Sequence, residues 1–388
     1  MGLGAVYDLL QNSEVVESVT VADVDEGRAR AVAETLKSER VGAAHVNVED
    51  FARTVELMRG HDAAISCVTY FHNLQLARAA IEARTNFCDL GGNNTVVDSE
   101  LALDSEARAA GVNIIPDCGL APGMVSVLAA HGAARFSRLE ELHIRVGGLP
   151  QRPRPPLGYQ IVFSVEGLIN EYVERARVIR GGRIVEVESL TEVETLDFPE
   201  PFGRMEAFQT SGGTSTLPET FLGRVQTLDY KTIRYAGHCE RFRLLVELGL
   251  CDSVAIDVDG RAVAPRRLLG ELLHRHLPEG EPDVVLVRLE FVGRLKEEGE
   301  DDARRKRESS GRESRLRYDI IDRFDARAGL SAMQRTTAFP ASVVAQMMAR
   351  GLTTQKGAVP QERCVPPEAF VRELAARDIR IKESFIEA

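Results

Sequence analysis

The chain has 388 residues, which at about 150 residues per domain suggests two domains or three. Apolar residues make up 44% of it and charged residues 28%, with no tryptophan, which excludes collagen-like, disordered and disulfide-scaffold classes. Basic side chains number 48 and acidic ones 59, and the resulting net charge of −11 repels phosphate backbones and disfavours a nucleic-acid partner.

The first third alternates helical and extended patterns. Leu3, Val6, Leu9 and Leu10 share one helical face. The β-branched run 19–22 reads as a strand closed by Asp23. A helix over 28–37, a strand over 44–48 and a helix over 51–58 follow. Next come a buried strand over 63–68, a helix over 74–83, and a strand over 87–90 stopped by Gly91 and Gly92. A helix over 101–110 and a strand over 112–116 complete the series. Alternation at this pace predicts a doubly wound parallel sheet of Rossmann type. From about 140 to 330 longer extended runs dominate, at 142–146, 184–187, 284–292 and 316–324, with helices at 167–175 and 241–248. That pattern predicts a second, α+β domain with a mixed sheet. Residues 297–314 form a mixed-charge run and read as a solvated hairpin loop. Helices return at 341–349 and 367–376, with Pro340 and Pro366 near their starts, where the missing N–H costs little. The expected domains are 1–125, completed by the tail 331–388, and 126–330.

No window approaches the roughly 18 apolar residues of a membrane span. The six cysteines form no C-x-x-C pair and read as free thiols of a reducing cytoplasm. No H-E-x-x-H occurs, and His274 and His276, which flank one arginine, are weak evidence for a metal, so none is expected.

A dinucleotide site needs a strand, a G-x-G-x-x-G turn, a helix whose positive end receives the pyrophosphate, and a second strand ending in an acid. The second half of this pattern is present. Gly2 occupies the place of the third glycine, and Asp23 follows it at roughly the 20-residue spacing expected. An acid there hydrogen-bonds the ribose hydroxyls and repels a 2′-phosphate, which favours NAD over NADP. The first strand and two of the glycines have no counterpart, so the expected sheet lacks its opening central strand. Val48, Cys67 and Val68 follow strands at the edge where ligands of open α/β sheets bind, and complete the cofactor candidates.

A second constellation lies further on. FSVEGLINEY (163–172) sets Glu166, Asn170, Glu171 and Tyr172 into an apolar stretch, and SGGTSTLPET (211–220) is rich in glycine and hydroxyls. YKTIRYAGH (230–238) gathers Lys231, Arg234, Tyr235 and His238. An arginine can clamp a carboxylate through two parallel hydrogen bonds. Lysine, tyrosine or histidine can move a proton once its pKa is tuned. The same cluster also reads as a structural salt-bridge strand.

The stretches MGLGAVYDLL, VADVD, NFCDLGGNN, PDCGLAPGM, FSVEGLINEY, FQTSGGTSTLPET, YKTIRYAGH and TTAFPASVVAQMM resemble, in this order, the saccharopine dehydrogenase family, and its lysine 6-dehydrogenase branch most. The resemblance implies a Rossmann domain, an α+β substrate domain, a tail returning to the first domain, and a homodimer. The implied reaction is oxidation of an amino-acid C–N bond with NAD. Lysine would give allysine and ammonia; saccharopine is the alternative substrate. An NAD-binding protein without activity is the reading from the incomplete fingerprint. On this resemblance Arg234 clamps the substrate carboxylate, while Lys231 or His238 moves the proton and Tyr235 orients. Asp89, Asp117 and Glu166 are the candidates to hold the substrate ammonium.

Overall fold

The computed structural model describes residues 1–296 and 314–386, so the charged run read as a hairpin loop at 297–314 lies almost wholly outside the described residues. Two units emerge. The first comprises Met1–His131 and Gln334–Arg380, the second Gly132–Met333 and Ile381–Ala388.

In the first unit, short strands alternate with helices. The strands are β1 (Val19–Asp23), β2 (Val41–His45), β3 (Ala63–Ser66), β4 (Asn86–Asp89), β5 (Asn113–Ile115) and β16 (Gly357–Ala358). The helices are α1 (Gly2–Gln11), α2 (Glu26–Leu36), α3 (Phe51–Met58), α4 (Asn73–Ala83), α5 (Asn94–Leu101), α6 (Asp104–Ala110) and α7 (Met124–Ala133), joined by α12 (Ala332–Ala349) and α13 (Pro367–Ala376) from the tail. All strand pairs are parallel, as the alternation predicts. They form two sheets, β1–β2 and β16–β5–β4–β3, and β1 is not hydrogen-bonded to β3. β2 lies three residues earlier than the 44–48 expectation, because Val41 pairs with Val19 and carries the whole register back.

Small residues set the packing of this unit. Ala77, Ala79 and Ala80 of α4 are fully buried. On α1, a Cβ at Gly4 would stand 3.1 Å from that of Ala338 on α12, so glycine permits the close approach. The same helix buries Asp8, whose carboxylate takes Arg377 Nε at 2.7 Å and the Ser342 hydroxyl at 2.6 Å. A buried charge needs such partners, since removing one leaves the other uncompensated. The tail is thereby tied to α1.

The second unit is built on a nine-stranded mixed sheet. Its strands are β6 (Phe136–Pro150), β7 (Ala176–Arg180), β8 (Arg183–Val187), β9 (Glu194–Phe198), β10 (Gly203–Gln209), β11 (Thr227–Tyr235), β14 (Asp283–Leu295), β15 (Ser314–Arg323) and β17 (Lys382–Ile386). The order is β17–β15–β14–β6–β11–β10–β9, with β7 and β8 attached beside β11. Only β6 and β11 are parallel. A separate hairpin joins β12 (Ile256–Val258) to β13 (Arg261–Val263). Helices α8 (Val165–Val173), α10 (His238–Glu247) and α11 (Pro265–His276) build one core with Phe208 of β10, and α9 (Leu217–Phe221) is a short turn of helix. The opposite face holds a second core of Leu149, Met205, Ala207, Ile233, Val284 and Leu286.

Two boundaries differ from the sequence reading. Pro340 is not near a helix start: α12 begins at Ala332, where the Asp283 carboxylate accepts the N–H groups of Ala332 and Met333. The last strand, β17, pairs antiparallel with β15, so the tail beyond Arg380 belongs to the second unit.

Candidate active site

β11 organises the polar residues of the second unit. Side chains alternate along a strand, so residues two apart share a face. Tyr230, Thr232 and Arg234 therefore point to one side, and Asp229, Lys231 and Tyr235 to the other. The cluster that reads as one group in the sequence is split by the pleat.

On the first side, Arg234 is buried, 2% exposed, without an ion-pair partner among the described residues. Its Nε donates to Tyr172 Oη at 2.9 Å and its Nη1 to the Ile233 carbonyl at 3.0 Å; Nη2 has no acceptor among the described residues. The guanidinium lies 4.8 Å from the Tyr159 ring centre and 5.9 Å from that of Tyr172. Such contacts steady a cation without neutralising it. Tyr172 comes from α8, whose buried Val165, Leu168, Ile169 and Tyr172 follow the helical repeat and whose Ser164 cap accepts the Gly167 N–H.

His238 completes a directed chain of hydrogen bonds. Its Nδ1 faces the Leu157 carbonyl at 3.0 Å, so that nitrogen carries the proton. Nε2 then accepts from Tyr172 Oη at 3.0 Å, and Tyr172 in turn accepts from Arg234. Burial and the Arg234 charge push the imidazole pKa down to about 3. The neutral ring is also wedged among Tyr159, Tyr172, Phe208 and Phe242. With its only lone pair engaged, His238 positions Tyr172 and Arg234; this geometry does not suit the proton-transfer role expected of it.

Glu171 adjoins this group and is not among the acids the sequence singles out for substrate. Burial drives its carboxyl up to about 7 against the opposing pull of Arg234, and it also acts electrostatically on Tyr159, Tyr172 and Tyr230. Among the described residues no hydrogen bond engages its side chain. A carboxyl with a pKa near neutrality can take or give a proton in the working pH range. Its signal in the sequence is its place beside Tyr172 in the polar half of FSVEGLINEY. The glycine-rich loop packs on the same side: a Cβ at Gly213 would fall 2.5 Å from the Tyr230 ring, so only glycine fits.

The other side of β11 is saturated. Lys231 Nζ bonds Glu194 at 3.0 Å and the Glu192 carbonyl at 2.7 Å. Glu194 also holds Arg145, which reaches Asp229 at 2.8 Å. Asp229 takes His143 at 2.7 Å and Arg180 at 3.2 Å as well. Although burial opposes it, this company holds the Asp229 carboxyl far below its ordinary range and raises the His143 pKa. Tyr235 Oη donates to the Pro150 carbonyl at 2.9 Å. Lys231 and Tyr235 are thus committed to protein partners on the face away from Arg234, and the structure does not bring them to it.

The three acids expected to hold an ammonium fall in two places. Glu166 is exposed and pairs with Arg266 at 2.8 Å, and Asn170 binds the same guanidinium, so both serve the helix surface. Asp89 and Asp117 meet in the first unit. Asp89 Oδ1 accepts the N–H of Gly91 at 2.6 Å and of Asp117 at 3.2 Å. Gly91 has φ 77°, and a Cβ there would collide with Asp117 Oδ1 at 1.9 Å. Burial lifts Asp89 to about 6 and, with the charges of Asp89 and Asp117, lifts Glu100 to about 10. At neutral pH Glu100 keeps its proton; Asp89 Oδ1 braces the turn after β4, while Asp89 Oδ2 and both Glu100 oxygens are buried without a hydrogen-bond partner among the described residues.

The cofactor candidates share the carboxyl ends of the parallel strands. Gly2 opens α1, and its Cβ position is 3.9 Å from Cys67 Cβ at the end of β3. The first turn of α1 carries no acid, so its free N–H groups suit an anion. Asp23 ends β1, where one carboxylate oxygen accepts the Asp25 N–H at 2.9 Å. Val48 follows β2 and anchors Gln75 through its carbonyl. Val24, Val68 and Phe71 expose 66%, 43% and 63% of their surfaces at this edge, an apolar lining without cover from the described residues. These groups fit the ribose and pyrophosphate of a dinucleotide.

The fold and these groups define a two-unit protein with a Rossmann-type half and a mixed-sheet half. Residues 1–115 match the family model for the saccharopine dehydrogenase NADP binding domain, and residues 119–379 that for the saccharopine dehydrogenase C-terminal domain. The chain belongs to the saccharopine dehydrogenase family. Saccharopine dehydrogenase (NADP+, L-glutamate-forming) of Schizosaccharomyces pombe is 24% identical over 253 residues, 61% of this chain and 54% of that protein. The Saccharomyces cerevisiae protein of that name is 23% identical over 276 residues, 69% of this chain and 60% of its own length. The matches thus span little more than half of these relatives. Among solved structures, apo saccharopine dehydrogenase (L-Glu forming) from S. cerevisiae superposes with a TM-score of 0.78 at 18% identity, covering 100% of this chain and 98% of that one. A homospermidine synthase from Legionella pneumophila, in complex with NAD, gives 0.65 at 10% identity over 99% and 89% of the two chains.

Proposed function

We propose that the chain is a pyridine-nucleotide-dependent oxidoreductase acting on the C–N bond of an amino acid, with lysine as substrate and allysine and ammonia as products. The observation that carries this reading is the Arg234 group: a buried guanidinium with an unused donor, oriented by Tyr172 and His238, beside a carboxyl with a pKa of about 7. Arg234 receives the substrate carboxylate, and Glu171 takes the proton released from the substrate ammonium. The bound nucleotide would supply the hydride acceptor; Gly2, Asp23, Val48, Cys67 and Val68 would hold it. The carbon that loses hydride becomes an imine carbon, and water hydrolyses it.

Saccharopine is the second reading, supported by the names of the relatives. It carries more carboxylates than lysine and needs more cations. Arg154 is paired with Glu281, and Arg152, two residues before it, is a further candidate cation. On the cofactor, Asp23 favours NAD. The relatives' names and Arg28, exposed on the first turn of α2, favour NADP. Steady-state formation of the reduced nucleotide with lysine or saccharopine, and NAD or NADP, tests both choices. Failure of all four pairs would leave the non-catalytic reading.

A further inference from the structure

The second unit holds a cavity of ≈ 510 Å³ that the reaction does not use. Its volume falls in the range of small-molecule sites, roughly 300–1,000 Å³. Its walls come from the end of α8, the turn after β8, α10 and the segment leading to α11. The apolar part is Val173, Leu190, Val246 and the Tyr172 ring; the charged part is Arg243, Arg266, Asp252 and Glu188, the last paired with Arg175.

The charged groups are incompletely satisfied. Arg243 places Nη2 against the Leu190 carbonyl and the Cys239 thiol, and its remaining donors have no protein acceptor. Arg266 is only 9% exposed, and its Nε has no partner although its Nη2 is held by Glu166 and Asn170. A buried donor left without an acceptor carries a desolvation cost that an incoming acceptor removes. Asp252 is exposed, and its carboxylate makes no hydrogen bond among the described residues. Two arginines with donors to spare, of which Arg266 is already ion-paired with Glu166, an exposed carboxylate and an aliphatic wall therefore line one space.

We propose that this cavity is a second ligand site, for an α-amino acid with an aliphatic side chain. The carboxylate lies at Arg243 and Arg266, the ammonium at Asp252, and the side chain against Val173, Leu190 and Val246. The site is distinct from the Arg234 group, which meets it only through Tyr172. It stands or falls independently of the proposed reaction.

Calorimetric titration of the full chain with L-leucine, without nucleotide or lysine, tests it. Saturable binding is expected, weakened about tenfold or more in Arg243→Gln and in Asp252→Asn, as loss of one charged contact implies. Arg234→Ala should bind L-leucine as the wild type does. Absence of binding at about 10 mM L-leucine, weaker than the millimolar range of small-ligand affinities, overturns the site. So does undiminished affinity in both cavity variants, or loss of binding in Arg234→Ala, which would move the amino acid to the other group. Should Arg243→Gln fail to fold for want of the Leu190 contact, the exposed Asp252→Asn decides the question.

Discussion

The two faces of β11 carry similar chemistry in opposite states. Both bury arginine beside acids. On the Lys231 face each charge has a counter-charge: Arg145, Arg180, His143 and Lys231 are matched by Asp229, Glu194, Glu141 and Glu192. On the Arg234 face the guanidinium touches tyrosines and a backbone carbonyl, and Glu171 stays unbonded with a raised pKa. A saturated network fixes structure, because its members have no capacity left for a ligand. An unsaturated one costs stability and keeps that capacity, which is what a binding site requires.

The largest effect expected from this contrast is on stability. Asp229→Ala strips three cations of their buried partner and should destabilise the protein by about 3–5 kcal/mol in denaturant unfolding. The pH dependence follows from the shifts. Asp229, with its folded pKa depressed, contributes stability that is present above its unfolded pKa and is lost as pH falls through the acid range. His143, with its folded pKa raised, contributes stability that is full below its unfolded value and is lost as pH rises through the folded one. The unfolding free energy of Asp229→Ala should therefore lack the acid limb and keep only the part of the His143 limb that Glu141 supports. Wild-type-like stability in this variant would erase the distinction between the faces.

Arg234→Ala comes next and should act in the opposite register. Losing charged hydrogen bonds to a substrate carboxylate, at about 1.5–3 kcal/mol each, predicts a fall in kcat/KM of about a hundredfold or more. An unchanged kcat/KM for the amino acid would sink the clamp role. Glu171→Gln should follow. It removes the ionisation near pH 7 from the kcat/KM profile and lowers the rate. Because the folded pKa of Glu171 is raised, its ionisation costs stability as pH climbs from the ordinary carboxylate range through about 7. The glutamine variant should thus be more stable than wild type at pH 8 and equal to it at pH 4, as read by thermal unfolding. A variant that loses activity and stability together at pH 8 would place Glu171 among the structural acids.

The alternating architecture was legible because hydrophobic periodicity survives in short windows, and the polar cluster at 230–238 stood out because its charges interrupt an extended apolar run. The division of that cluster between two faces was not read. Reading 230–238 as one window joined Lys231 and Tyr235 to Arg234, although the extended context itself separates odd from even positions. Glu171 was obscured for the complementary reason: on a helix, adjacent residues diverge by about 100°, so its nearness to Arg234 depends on how α8 lies against β11, which no local pattern encodes. The role of His238 rested on a tertiary contact to the Leu157 carbonyl. β17 was assigned to the wrong unit because pairing with β15 joins segments far apart in the chain.

The same criterion of saturation applies within the first unit, to two aspartates of equal charge. Asp8 is surrounded by Arg377, Ser342 and Asn12 and has nothing left to offer a ligand. Asp23 gives one oxygen to the Asp25 N–H and is otherwise open, at the edge where Gly2 opens α1 and Val48 and Cys67 follow β2 and β3. If Asp23 receives the ribose hydroxyls, Asp23→Ser should raise the KM for NAD about fivefold to tenfold, the worth of about one charge-assisted hydrogen bond. The same change should lower the KM for NADP, since a 2′-phosphate would no longer meet a carboxylate. This is the smallest of the expected effects and the most specific: a loss of nucleotide affinity through unfolding would raise both KM values, whereas only a direct contact moves them in opposite directions. A wild-type preference for NADP that Asp23→Ser leaves unaltered would assign the discrimination to Arg28 on α2 instead.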